Sequence, residues 1–443
     1  MLLRYIVSNF KSIGHPVVFS MFPAEESTDE RFLTTIVTKT GEWKVLRRGG
    51  FFGPNASGKS SFIESIAYAK QYIVVGQKSG KGTGVNQFRG SFDDLKKISS
   101  FQFMFYLDGE VYEYGFSLDR HQVHEEWLMQ LTEKELEPLF TRITDESGKT
   151  EIDIGSKLAR KNSKDRNLAD ILKDSIQEDQ KNQLFLYKLY DNGIKKAQKI
   201  VRWFKNLQLI FPNSKYKALP IQMKTNQDFR EYIAGMLEKL DTGVFEISVA
   251  NKEIDFHEFA ENLSLTEEMV EDIEEIKSGI ITFLGKCFIV FQNAEKRPTL
   301  VQLKFNHQLN NESVGFNIDD ESDGTQRLLD LLPMLFAIGK NPTIYFIDEI
   351  DRSLHTKLSQ FLLDEFVRGA EDGIDQIIFT AHDVNLINLH NFRQDEIWFI
   401  EKTQLGESTL RPFSDFTIKE GQDTLKAYLS GRFGAVPMIR GEQ

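Results

Sequence analysis

Residues 53–60 read Gly-Pro-Asn-Ala-Ser-Gly-Lys-Ser, a G-x-x-x-x-G-K-[ST] pattern complete at every position. Glycines at its two ends let backbone N–H groups wrap around phosphate oxygens, and the N-terminus of the following helix adds the positive end of its dipole. Lys59 is placed to reach the terminal phosphates of a nucleotide, and Ser60 to offer its hydroxyl to Mg2+. The binding set expected on this basis is Gly53, Asn55, Ala56, Ser57, Gly58, Lys59, Ser60 and Ser61. A second element, Thr343 to Ile347, is an apolar run ending in Asp348-Glu349. Strands that end in two acids are common, but beside a phosphate loop the pair gains a purpose. Asp348 is expected to hold Mg2+, directly or through water, and Glu349 to polarise an attacking water.

Two further groups fall in a telling order. Glu321-Ser322-Asp323-Gly324-Thr325-Gln326 precedes Asp348 and opens an apolar helix. It is either an N-cap serine with a turn glycine or the Ser-x-Gly signature that it resembles in ABC-type ATPases. In those enzymes the hydroxyl and nearby N–H groups cap a γ-phosphate held by the other subunit, so Ser322, Gly324, Thr325 and Gln326 would act in trans. After Asp348 the run Ile377 to Thr380 leads into Ala381-His382, matching the ABC switch histidine that contacts the γ-phosphate and water. The expected catalytic set is therefore Glu349, His382 and Lys59. Asp351 to His355 occupies the D-loop position, and Gln87 is the candidate for the Q-loop glutamine at the metal.

The spacing of these motifs, with a long insert between Lys59 and Ser322, resembles the SMC/RecF/OLD branch rather than a compact transporter cassette. So does the opening Asn9-Phe10-Lys11-Ser12-Ile13. The chain most resembles the AAA-family ATPases of bacterial anti-phage defence: the AbiLi/RloA-like group, related to PtuA of Septu and the PARIS ATPase. The resemblance is carried by the phosphate loop, by Glu321 to Arg327, by Asp348 to Asp351 with Ser353 to His355, and by the ending Tyr428 to Pro437. It implies ATP and Mg2+ as cofactors, a homodimer or higher homo-oligomer sandwiching two nucleotides, and a sensor or scaffold that controls a separate effector protein in abortive infection. A DNA repair or recombination ATPase that clamps DNA is the alternative, and a slow-turnover assembly scaffold a third reading.

The elements that must position these groups are legible in outline. The expected fold class is α/β: a P-loop ABC-type ATPase head, a mixed sheet with flanking helices, split by a mainly helical insert. Residues 1–125 form an N-terminal lobe, with strand-like runs, a glycine loop, a helix and a hairpin signalled by Asp108-Gly109 between two apolar runs. Residues 126–291 show helical periodicity, including a capping box at Ser264 to Glu267 with Met269, Ile273, Ile276, Ile280 and Leu284 on one face. Residues 292–443 return to strand–helix alternation and carry the signature, the paired acids and His382.

Composition bounds the rest. Of 443 residues, 40% are hydrophobic and 36 are Phe, so the chain can build an aromatic-rich core and is neither disordered nor fibrous. One cysteine excludes a disulfide framework and suits a reducing cytosol. No apolar run reaches the length of a membrane span, and a soluble, cytoplasmic protein without a membrane partner is expected. The net charge of −12 argues against a generic nucleic-acid coat, yet it hides two blocks. Residues 155–224 hold 16 Lys/Arg against 6 Asp/Glu, and residues 225–285 hold 4 against 15. Lys195, Lys196, Lys199, Arg202 and Lys205 beside Trp203 and Phe204 would suit DNA phosphates, or else form a solvated or docking face. His121-x-x-His124 has helical metal spacing but no third ligand, and reads as a surface or turn pair. Glu125-Glu126-Trp127 reads as the edge of a strand or helix.

Overall fold

A computed structural model describes residues 1–24, 29–90, 98–133, 135–145, 147–178, 180–253, 278–283, 286–292, 298–370, 373–418 and 424–436. The chain divides into two compact units: Met1–Pro212, Ile338–Asp351 and Ser359–Gln443 form one, Asn213–Ala337 and Arg352–Leu358 the other. Among the described residues no helix is long and apolar enough to cross a membrane.

In the first unit a six-stranded sheet runs β11 (Leu207–Ile210), β17 (Ile344–Ile347), β18 (Gln376–Thr380), β5 (Arg48–Phe52), β19 (Ile397–Lys402) and β20 (Ser408–Pro412). Its first five strands are parallel, and β20 closes the edge antiparallel. Strands buried on both faces read as continuous apolar runs, which is how β5, β17 and β18 are written: every residue in them is buried. Glycine occurs in β5 because aromatics crowd it. A Cβ on Gly50 would stand 2.7 Å from Phe379 Cζ, and one on Gly49 would stand 2.8 Å from Phe19 Cζ. Helix α1 (Lys59–Val75) packs here through Phe62, whose ring centroid lies 4.7 Å from that of Phe51.

The same unit holds a seven-stranded antiparallel sheet. Its order is β10 (Thr150–Ile154), β9 (Leu136–Thr144), β8 (Val123–Leu131), β7 (Glu110–Leu118), β6 (Ser99–Leu107), β1 (Leu2–Ser8) and β2 (Val17–Ser20), with a small hairpin of β3 (Leu33–Thr38) and β4 (Gly41–Leu46) beside it in sequence. Positive φ at both Asp108 (50°) and Gly109 (80°) makes the two-residue turn that β6 and β7 require. Helices α2 (Lys164–Glu178), α3 (Phe185–Asp191) and α4 (Lys195–Lys205) follow, and α8 (Thr356–Gly369) and α9 (Thr424–Leu429) come late in the chain. The second unit contains α5 (Leu219–Thr225), α6 (Gln227–Lys239) and α7 (Asp323–Ala337). Its sheet runs β12 (Val244–Glu253), β15 (Pro298–Leu309), β14 (Lys286–Gln292) and β13 (Ser278–Phe283), with β16 (Glu312–Phe316) paired to β15.

Helical character across 126–291 holds for α2 to α6 and gives way elsewhere to strands. Residues 126–131, 136–144 and 150–154 are strand, with Glu126, Leu128 and Gln130 of β8 and Phe140, Arg142 and Thr144 of β9 alternating inward, and Ile280 lies in β13 rather than on a helix face. The capping box at 264–267 and the positions 269, 273, 276 and 284 lie outside the described residues. The basic helix α4 also differs from a nucleic-acid face. Trp203 and Phe204 are buried, with Trp203 stacked 4.2 Å from Phe105. Lys196 pairs with Glu110 at 3.2 Å and Lys199 with Asp108 at 2.6 Å. His124 Nε2 lies 2.9 Å from Asp119 Oδ2, in a turn whose Asp119 Oδ1 also accepts the N–H of His121.

Glu126, in the middle of β8, is a hub rather than an edge. Its fully buried carboxylate accepts the N–H groups of Phe185 (2.6 Å) and Leu186 (2.9 Å) and the Tyr114 hydroxyl (3.0 Å). Arg142 approaches to 3.7 Å and itself donates to the carbonyls of Gln183 and Lys181. Burial pushes the Glu126 carboxyl up and the Arg142 guanidinium down, each held against that drift by the other. Removing one partner of such a pair leaves a buried charge unmatched. Glu126→Ala should therefore cost about 3–5 kcal/mol, seen as a thermal midpoint several degrees lower. A midpoint equal to that of the wild type in differential scanning fluorimetry would show the pair to be dispensable.

Candidate nucleotide site

The parallel order β17–β18–β5 brings three C-terminal strand ends side by side, and each delivers one motif. Past β5 the chain turns sharply. Gly53 has φ 156°, and a Cβ there would stand 2.1 Å from the Ile400 carbonyl oxygen. Ala56 (φ 63°) and Gly58 (φ 115°) continue the left-handed turns, and a Cβ on Gly58 would meet Ser408 Oγ at 2.1 Å. The loop is braced from behind: Ser408 Oγ donates to the Ser57 carbonyl at 2.6 Å and contacts Ser12 Oγ at 2.8 Å, and Ser408 N–H donates to the Ser12 carbonyl. Helix α1 then starts without a side-chain cap and without an acid in its first turn. Its first N–H groups precede the bond from Phe62 N–H to the Gly58 carbonyl, so they are unclaimed by the helix.

Lys59 is 4% exposed and folds back to donate to the carbonyls of Gly53 (2.7 Å) and Pro54 (3.1 Å). Burial pulls its ammonium below the ordinary value, while the carboxylates of Asp348, Asp351 and Glu349 push it back up. Past β17, Asp348 is buried and accepts the Thr380 hydroxyl at 2.6 Å. Glu349 follows with φ 50°, its N–H donating to the same hydroxyl at 2.8 Å. Past β18, His382 Nε2 stands 3.4 Å from Glu349 Oε1, and the N–H groups of His382 and Asp383 both donate to Asp351 Oδ2 (2.8 and 2.6 Å).

A cleft of about 730 Å³ is lined by Ser12, residues 55–61, Glu349, His382 and Lys402. It unites the phosphate loop with the acid and the histidine expected to act on its contents. Gly53 forms the turn into that loop, and Asp348 lies behind the cleft wall beside Thr380. Gln87 lines a separate cleft of about 510 Å³ with Lys11 and Arg89; the two clefts share Ser12 and Lys402 as lining. The signature residues belong to the second unit. There Ser322 Oγ accepts the Thr325 N–H at 3.1 Å and meets Thr325 Oγ1 at 2.9 Å, an N-cap to α7, while Gln326 Nε2 donates to the Glu321 carbonyl. A Cβ on Gly324 would stand 3.0 Å from the carbonyl oxygen of Ser353, a close approach that a side chain would have to push back by a few tenths of an ångström. Ser12, Ser408 and Thr380 are absent from the sequence-based site, because isolated hydroxyls carry no spacing signal until the strands that bear them are aligned. Asp351 enters the sequence reading only as the start of the D-loop position, not as an acceptor for the His382 turn.

The donor set fits a polyphosphate with a divalent cation. The cradle excludes side-chain carbons, N–H groups and a lysine converge, and the buried carboxylate of Asp348 is among the charges that act on that lysine. Fold and cleft together define a P-loop nucleotide-binding head with a mixed sheet and flanking helices. The chain belongs to the family described as "AAA domain, putative AbiEii toxin, Type IV TA system", which matches residues 50–388. No curated protein matches the sequence. Among solved structures, the chain is similar to an SMC head domain from Thermotoga maritima at 12% identity and TM-score 0.38, over 93% of this chain and 98% of that one. It is also similar to an Smc head bound to the C-terminal winged-helix domain of ScpA, at 13% identity and TM-score 0.42, over 93% and 97%. A Pyrococcus furiosus Smc head with an extended coiled coil gives 13% identity and TM-score 0.39, over 93% and 95%.

Gly58→Ala should abolish nucleotide binding, because the added carbon meets Ser408 and the backbone is in a region that side chains disfavour. Stabilisation by saturating ATP, about 2.7 kcal/mol at one hundred times Kd, would vanish from the melting curve. An ATP-induced shift as large as that of the wild type would refute the cradle.

Proposed function

We propose that this chain is a Mg2+-dependent ATPase that works as a dimer, and that its ATP cycle sets whether a separate effector is held or released in bacterial anti-phage defence. The observation that carries the reading is the single cleft in which the P-loop with Lys59, the water-side acid Glu349 and His382 converge. Family membership and the tail resembling the AbiLi/RloA-like group support the defence role.

In this reading the N–H groups of residues 55–61 and the Lys59 ammonium bind and orient the phosphates. Ser60 and Asp348 would hold Mg2+, which would offset charge on the phosphates; Gln87, which lines the separate cleft, is left out of this set. Glu349 accepts a proton from the attacking water, and His382, within contact distance of Glu349, orients both. Ser322 Oγ, together with Gly324, Thr325 and Gln326 at the start of α7, closes over the terminal phosphate held by the other protomer. An isolated protomer then has only half of each site, so ATP binding and dimer closure are one event. The DNA-clamp alternative draws little from residues 195–205, because the aromatics there are core and two of the lysines are already paired.

The trans arrangement gives a complementation test. Lys59→Ala and Ser322→Arg should each lose activity by a hundredfold or so when measured alone. Mixed in equal amounts they should recover about one quarter of the wild-type rate, since half of randomly assorted dimers are mixed and each has one intact site. Specific activity of the wild type should also rise with protein concentration. No recovery at any mixing ratio would sink the dimer model, and no ATP turnover by the wild type would sink the ATPase itself.

A further inference from the structure

Thr380, the last residue of β18, lies between the strand ends that carry the site and is fully buried. One hydroxyl has one proton to give and two lone pairs to receive. Here the accounting is determined. Glu349 N–H can only donate, so it occupies a lone pair of Thr380 Oγ1 at 2.8 Å; the hydroxyl proton is thereby left for Asp348 Oδ1 at 2.6 Å. The Thr380 carbonyl takes the next N–H, that of Ile350, at 3.0 Å. A single residue thus grips three successive positions of the turn after β17.

That turn needs gripping. Glu349 sits at φ 50°, a backbone conformation that side chains with a Cβ seldom adopt and that persists only where surrounding contacts over-determine it. The consequence of the turn is that successive residues, Asp348 and Glu349, face different tasks: the first is buried, and the second lines the cleft 3.4 Å from His382. The return contact runs through Asp351, whose Oδ2 accepts the N–H groups of His382 and Asp383 two and three residues beyond Thr380. The two turns are laced together in both directions.

We propose that Thr380 is a positioning residue: its hydroxyl ties the metal-side carboxylate of Asp348 to the backbone N–H of the water-side residue Glu349, fixing the carboxylate of one relative to the turn that aims the other. This rests on the ATPase reading above. A purely space-filling role would be met equally by valine, which has the same shape without the hydroxyl. The test compares wild type, Thr380→Val and Thr380→Ser as full-length proteins in three measurements: binding of a fluorescent ATP analogue titrated with Mg2+, steady-state ATP turnover, and melting without nucleotide.

Loss of a group that orients a metal ligand costs 10–100-fold in metal affinity or activity. Thr380→Val should raise the Mg2+ concentration for half-maximal binding about tenfold and lower kcat by 10–100-fold, with KM for ATP changed less than about threefold; Thr380→Ser should restore most of both. An unchanged Mg2+ half-point and kcat in Thr380→Val would overturn the proposal. So would equal damage in Thr380→Ser, or loss of analogue binding even without Mg2+, either of which marks a packing role. If the wild type binds Mg2+ and nucleotide but does not turn ATP over, the ATPase reading fails alone, and the Mg2+ titration still decides for or against Thr380.

Discussion

An ammonium group that is almost out of water has to be kept charged by its surroundings, and much of the architecture around Lys59 answers that need. Desolvation favours the neutral amine. Three carboxylates, Asp348, Asp351 and Glu349, oppose it, and two carbonyls at the mouth of the phosphate loop accept its protons. Those carboxylates are themselves mutually repulsive and near one another, which is tolerable only if each is tied down. Thr380 and the backbone N–H groups at His382 and Asp383 do the tying. The result is a set of opposed charges held apart by hydrogen bonds, in which an added polyphosphate would find cations and N–H groups already oriented.

The sheet is what makes such an arrangement geometrically available. Parallel strands present all their C-terminal ends on one side, so motifs that lie hundreds of residues apart in sequence arrive within a few ångströms of each other. The aromatic packing then restricts the sequence further. Phe19 and Phe379 press against β5 where only glycine fits, and the end of the chain is drawn onto β19: Phe433 and Tyr428 stack parallel to Phe399, and Glu401 accepts the Ala435 N–H. The brace at Ser12 and Ser408 carries this order to the phosphate loop, so the tail sequence and the loop are linked through one pair of strands.

Reading the residues in order found what depends on local spacing. The phosphate loop, the acids after an apolar run and the Asp108-Gly109 turn all announce themselves within ten residues, because backbone conformation and phosphate chemistry are both local requirements. Glu126 and Trp203 show what such reading misses. Glu126 reads as the edge of a strand or helix until β8 and the start of α3 are brought together, and only then is it the acceptor for two backbone N–H groups and a tyrosine. Trp203 beside five cations suggests a nucleic-acid face until Phe105 covers its ring. The strands between 126 and 154 hide for a similar reason: Glu126 and Arg142 break the apolar alternation on the inward face, yet each is the other's buried partner.

The order in which the strands leave the ribosome gives the sheet a history. β5 emerges early, but its two neighbours, β18 and β19, are about 330 and 350 residues further on. At elongation rates of about 5–20 residues per second that interval is roughly 15–70 s, during which an aromatic strand that ends buried on both faces has no partner of its own sheet. The nucleotide cleft is therefore among the last features the chain can complete. A product that stops short of residue 380 has a phosphate loop in sequence but no sheet to aim it, so the synthesis of an active molecule is all or nothing, and the growing chain is exposed to misassembly for most of that time.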